Sequence, residues 1–217
     1  MKKETTGRQE VKPTKRLTSD QIQKIVLVGI FAAIVIVLQF FSGQIRFGPF
    51  SITLALVPII VGGAICGPFA GAFLGFIFSA IVLMNDAAAF LAVSVVGTVL
   101  TVLLKGTLAG LASALLYKAL HFITKNETGK SWRTMLRVFL SGIACPLVNT
   151  GIFVIGCLLF FMPTINGWAT AAGFESGTKY IVFGMIGVNF LVEFATVTVL
   201  SPVIVRLIEM ATKRNQF

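Results

Sequence analysis

From residue 25 onward the chain is a succession of apolar runs cut by short polar breaks. The first run, Ile25 to Ile45, carries no charge. A bilayer crossing takes about 20 mostly apolar residues rising about 1.5 Å each. This run therefore predicts a first span over 20–42, with Asp20 as its N-cap. Phe47 to Asn85 is uncharged for 39 residues, too long for one crossing and suited to two short ones. Its breaks are written at Gly62-Gly63 and Gly67-Pro68, because proline stops a helix at the residue before it. Spans two and three are thus predicted at 51–66 and 68–84. Asn85-Asp86 makes the next loop, and Ala87 to Leu120 is interrupted only by Lys105 and Lys118. That pattern predicts a loop or half-helix over 87–95 and a fourth span over 96–122. After the polar stretch at 125–130, a fifth span is predicted over 132–161. Pro163 to Lys179 then reads as a glycine-bearing outer loop, followed by a sixth span over 180–209.

Composition supports a lipid solvent. The 217 residues are 56% hydrophobic and 12% charged, with a mean hydropathy of +0.93, whereas soluble domains carry about 25% charged residues. The net charge of +10 would suggest nucleic acid in a soluble protein. Here the basic residues flank apolar runs, and their placement reports topology instead. Of the 18 lysines and arginines, Lys105 falls within a span and Arg46 and Lys179 fall on the outer loops. All the others lie on segments that are cytoplasmic if the N-terminus is inside. The expected fold is therefore all-α: an integral membrane bundle of about six transmembrane helices with both termini cytoplasmic. Residues 1–19 read as a disordered basic cytosolic tail, and 20–217 as one transmembrane substrate-binding domain.

Other chemistries lack their residues. Cys66, Cys145 and Cys157 lie in apolar surroundings with no metal-ligand spacing, so they read as small buried hydrophobes. One histidine, His121, cannot build a common zinc site. There is no Gly-x-Ser-x-Gly elbow and no Walker A loop. The expectation is a protein with no enzyme activity, no cofactor and no nucleic-acid partner, unable to hydrolyse ATP unaided.

Small residues recur every fourth position: Gly67, Gly71, Gly75 and Ser79 in the third span, Gly106, Gly110 and Ala114 in the fourth, Gly29 and Ala33 in the first. Such spacing keeps them on one helical face and lets backbones approach closely. Packing within the bundle accounts for the third and fourth spans. In the first span, a docking face for another membrane subunit competes equally with packing.

An ionisable group within a span is costly and marks a candidate functional site. Lys105, Asn149, Asn189 and Glu193 fall on three spans in one layer, roughly 13–20 Å below the outer surface at helical rise. Asn189 and Glu193 are four apart and share a face. A polar layer there suggests a pocket for a small polar molecule entering from outside. Either Lys105 and Glu193 pair with each other, or an unpaired ammonium awaits an anionic group on the substrate. Pro146, three residues before Asn149, frees a backbone carbonyl, and this is either an irregularity lining the pocket or a simple kink. Arg46 on the first outer loop, Asn85 on the next, and Thr150 complete the candidate substrate-binding set with Lys105, Asn149, Asn189 and Glu193. The two glycine-bearing outer loops are candidate lids, and Trp168 doubles as a candidate interfacial anchor.

The stretch Ile52 to Gly75, with Pro58, Gly67, Pro68, Gly71 and Gly75, resembles the second and third helices of energy-coupling factor (ECF) transporter S components. Cys145 to Gly156, with Pro146, Asn149, Thr150 and Gly156, is similar to the same family. The resemblance implies a subunit that binds a vitamin from outside with no cofactor of its own. It implies docking on a transmembrane coupling subunit driven by two cytosolic ATPase subunits, and toppling in the membrane lipid to release cargo. The family's docking face is an Ala-x-x-x-Ala pair on the first helix, matched here by Gly29 and Ala33. The resemblance also implies a multi-pass location in a bacterial cytoplasmic membrane. Within the family the chain looks closest to pantothenate- and riboflavin-type members, and Lys105 favours a carboxylate, hence pantothenate. The alternative is an autonomous secondary transporter or channel for a small polar molecule. Such a protein should carry inverted repeats, and no clear internal repeat is visible.

Overall fold

The computed structural model describes residues 18–43, 46–47, 50–51, 53–123 and 131–214. Nearly all of the tail expected over 1–19 lies outside the described residues. Helix α1 (Ser19–Ser42) begins one residue earlier than the pattern predicts, with Thr18 rather than Asp20 at the cap position. The Thr18 backbone N–H donates to Gln21 Oε1 at 3.0 Å, which satisfies one of the donors a helix start leaves over.

Strands β1 (Arg46–Phe47) and β2 (Phe50–Ser51) pair antiparallel. The second span, α2 (Leu56–Cys66), therefore starts at Leu56 rather than at 51. It passes through Gly62-Gly63 without a break. The break falls at Gly67 alone, whose φ of 102° is open to glycine and strained for other residues. Pro68 then opens α3 (Pro68–Asn85), a position where its missing N–H is not needed. The short α4 (Ala88–Leu91) and the long α5 (Val95–Ile123) follow, matching the half-helix and fourth span.

The outer half of the fifth span departs from expectation. Helix α6 (Ser131–Gly156) continues past Pro146. A π-helical stretch, Cys157–Phe161, then leads directly into α7 (Met162–Ala171). The Pro163-to-Lys179 loop is thus mostly helix, because Pro163 sits in the first turn of α7 where proline is tolerated. Only 172–176 separates α7 from the short α8 (Gly177–Lys179). A second π-helical stretch, Tyr180–Ile186, joins α8 to α9 (Gly187–Arg214).

Five helical segments are long and apolar enough to cross a membrane, and α2 is a sixth, shorter apolar helix. The chain is an all-α integral membrane bundle. Large side chains such as Phe69 (92% exposed) and Met84 (81%) point away from the protein, as lipid-facing residues do. Helices α3 and α5 pack closest. Gly71 and Gly75 lie against Gly110 and Gly106, and a Cβ built on Gly75 would stand 2.1 Å from the Gly106 carbonyl oxygen. The predicted small-residue faces of these two spans are therefore spent within the bundle, where close backbone approach substitutes for a hydrophobic drive. One apolar core, including Val35, Leu56, Ile59, Leu74 and Phe78, joins α1, α2, α3 and α5. A second, of Phe90, Cys157, Phe161, Ile165, Ile181 and Met185, joins α4 to the two π-helical stretches and α7.

Candidate ligand-binding site

A cavity of about 70 Å³ lies between these cores, room for several waters at about 10–15 Å³ each. Helix α1 contributes Gln39, the segment before α2 Thr53, and α3 Phe78 and Val82. Asp86 and Ala87 follow α3, and α4 adds Phe90. Helix α5 contributes Val102 and Lys105, α6 contributes Asn149, Thr150 and Phe153, and the last span adds Met185, Ile186 and Asn189.

The polar groups are held in a dry setting. Glu193 is 1% exposed, Gln39 1% and Asn149 4%. Asn189 Nδ2 donates to Glu193 Oε1 at 2.9 Å, using the shared face of positions four apart. Thr53, Asn149 and Lys105 also face the Glu193 carboxyl. Gln39 Nε2 donates to Asp86 Oδ2 at 3.1 Å, tying α1 to the end of α3. The Lys105 ammonium lies over the Phe153 ring, 5.2 Å from its centroid, a cation–π contact. Lys105 and Glu193 do not close to an ion pair within 4.0 Å, although they are near enough to interact through space. Three buried amide oxygens on the cavity wall have no hydrogen-bond partner among the described residues: Gln39 Oε1, Asn149 Oδ1 and Asn189 Oδ1. Buried polar atoms are nearly always paired, so this concentration in one cavity marks unspent recognition capacity.

Above the polar layer stands an aromatic cluster. The Phe90 ring meets Phe153, Phe161 and Trp168 edge-to-face, with centroids 5.7, 5.1 and 5.6 Å away. Trp168 is thus half-buried against the site, beyond the role of surface anchor.

Of the residues singled out from sequence, Lys105, Asn149, Thr150 and Asn189 come together on the cavity wall. Glu193 stands behind Asn189. Asn85 is exposed and borders an outward groove with Phe40, Phe41 and Met84. Arg46 belongs to β1, and its side chain lies outside the described residues. Gly29 and Ala33 are exposed on α1, and a Cβ on Gly29 would meet nothing within 4 Å. Sequence reasoning passed over Gln39, Thr53, Asp86, Phe90 and Phe153. Gln39 had a signal, since it is the one polar side chain between Ile25 and Phe41. The phenylalanines had none, being two of 20.

Compared with known families, residues 23–205 match the model of the ECF transporter substrate-specific component. No curated protein matches the chain in sequence.

Proposed function

The chain belongs to the ECF transporter substrate-specific component family, and from that premise we propose that its cavity captures a vitamin-type acid from outside the cell, with pantothenate favoured and riboflavin next. As a member it is a membrane transport subunit and not an enzyme, working with ECF transmembrane and ATPase modules on a small-molecule substrate. The observation that supports the finer reading is Lys105, a cation in the cavity wall with no carboxylate of the described residues within 4.0 Å. A charge held within an apolar span without a close ion pair is expensive, and a substrate carboxylate would compensate it. The amide and hydroxyl groups of Asn149, Thr150 and Asn189 supply orientation around that contact.

The exposed pair Gly29 and Ala33 on α1 is the proposed docking face for the transmembrane coupling subunit, which two cytosolic ATPase subunits would drive. A bacterial cytoplasmic membrane is the proposed location. Calorimetric titration of the purified protein with pantothenate, riboflavin, folate, thiamine, biotin and cobalamin tests the cargo. Pantothenate is expected to bind, and Lys105→Met to weaken it roughly 10- to 100-fold, the worth of a charge-assisted hydrogen bond. Binding of a different vitamin, or a Lys105→Met variant that binds pantothenate as tightly as the parent, refutes the assignment.

A further inference from the structure

Two amides on the cavity wall each give an N–H donor to a carboxyl group. Asn189 Nδ2 donates to Glu193 Oε1, and Gln39 Nε2 donates to Asp86 Oδ2. In both residues the amide oxygen is left buried and without a partner among the described residues. Glu193 is itself 1% exposed and is not part of the cavity wall. A carboxyl oxygen that accepts a bond must meet the NH₂ side of an amide, because the carbonyl side has no hydrogen to give. The Asn189 carbonyl is therefore turned away from Glu193. A buried acceptor left without a donor is costly, and the cost disappears when a ligand brings the missing N–H or O–H.

We infer that Glu193 is a positioning residue that pins the Asn189 amide with its oxygen reserved for ligand, so that the cavity selects solutes carrying hydroxyl or amide N–H donors beside an acidic group. The reverse amide orientation would select acceptors instead. The Gln39–Asp86 pair is built the same way from a different pair of elements, and Asn149 Oδ1 adds a third unpaired amide oxygen. This inference rests on the reading that the cavity takes a small acid at Lys105, and it adds what the rest of that acid must carry.

Two measurements on the full chain in detergent test it. The first needs no ligand: the ¹⁵N side-chain amide signal of Asn189, assigned with Asn189→Asp, is compared in the parent, Glu193→Gln and Glu193→Leu. Glu193→Leu is expected to shift the signal and speed its hydrogen exchange, with Glu193→Gln, which keeps an acceptor oxygen, lying between. A signal unmoved in Glu193→Leu overturns the pinning. The second titrates pantothenate against N-(3,3-dimethylbutanoyl)-β-alanine, which keeps the carboxylate and amide but lacks both hydroxyls. The parent should prefer the hydroxylated acid on the order of 100-fold, and Glu193→Leu only about tenfold. Both ligands bear the same carboxylate, so any change in charge near Lys105 cancels in the ratio. An equal ratio in parent and variant overturns the selection of donors. If the parent binds neither acid, the pantothenate reading falls, and the spectra alone decide the pinning of Asn189.

Discussion

Replacing Gly75 by alanine adds one methyl group at one of the tightest backbone contacts between α3 and α5. The new Cβ would lie 2.1 Å from the Gly106 oxygen, 2.8 Å from the Gly106 carbonyl carbon and 3.3 Å from Thr107 Cα. All three are backbone atoms of α5, so no side chain can swing aside. An ordinary contact of about 3.2 Å or more requires α3 and α5 to part by roughly 1 Å, and packed interiors resist such shifts. Overpacking of this kind costs about 1–3 kcal/mol. At roughly 2–4 °C per kcal/mol for a chain of this size, thermal unfolding in detergent should fall by about 2–12 °C. The same separation moves Phe78 and Val82 of α3 away from Val102 and Lys105 of α5, which face them across the cavity, so ligand affinity should fall as well. Gly29→Ala is the control, since its methyl group meets nothing within 4 Å. Unfolding of Gly75→Ala at the parent's temperature would falsify the argument that direct backbone contact joins these helices.

Gly29→Leu should leave thermal unfolding within about 1 °C, as exposed changes usually do, while copurification with the ECF transmembrane subunit drops; undiminished copurification removes α1 as the docking face. Phe90→Ala deletes three edge-to-face contacts and should cost about 3–5 kcal/mol, read as a lower unfolding temperature together with faster ligand release; unchanged release would show that the cluster does not close the cavity. Gly67→Ala places a side chain at φ 102° and should destabilise by about 1–3 kcal/mol, although open space surrounds the site; a neutral result would mean the α2–α3 corner can re-form with ordinary backbone angles.

Hydrophobic run length made the spans legible, since a bilayer imposes nearly the same length on each crossing. The fourth span, predicted at 96–122, is observed as Val95–Ile123. What the runs did not reveal lies at their ends. Pro163 to Lys179 was read as an outer loop, yet Pro163 stands in the first turn of α7, where its missing N–H has no partner to lose. The β1–β2 pair is set by contacts between strands of two residues each, too short for any alternating pattern to register. Four polar residues of the cavity were legible because charge and amide groups are rare in apolar spans, and spacing put Asn189 next to Glu193. Asp86 was passed over because it stands in a connection, where acids are ordinary. Gln39 was passed over because one amide in a first span looks incidental until α3 brings Asp86 beside it.

The two π-helical stretches have a consequence for comparing members of the family. A π-helical turn is an α-helix that has absorbed an extra residue, and each α-helical residue turns the chain by about 100°. Removing one residue from Cys157–Phe161 would restore an α-helical turn and leave α7, with Trp168, facing nearly as it does now, because the five residues of the wider π turn rotate the chain about as far as one fewer would in an α-helix. Single-residue gaps between relatives are therefore expected inside these apolar stretches and not only in loops. Where they occur, the residue at position 90 should keep the same partners.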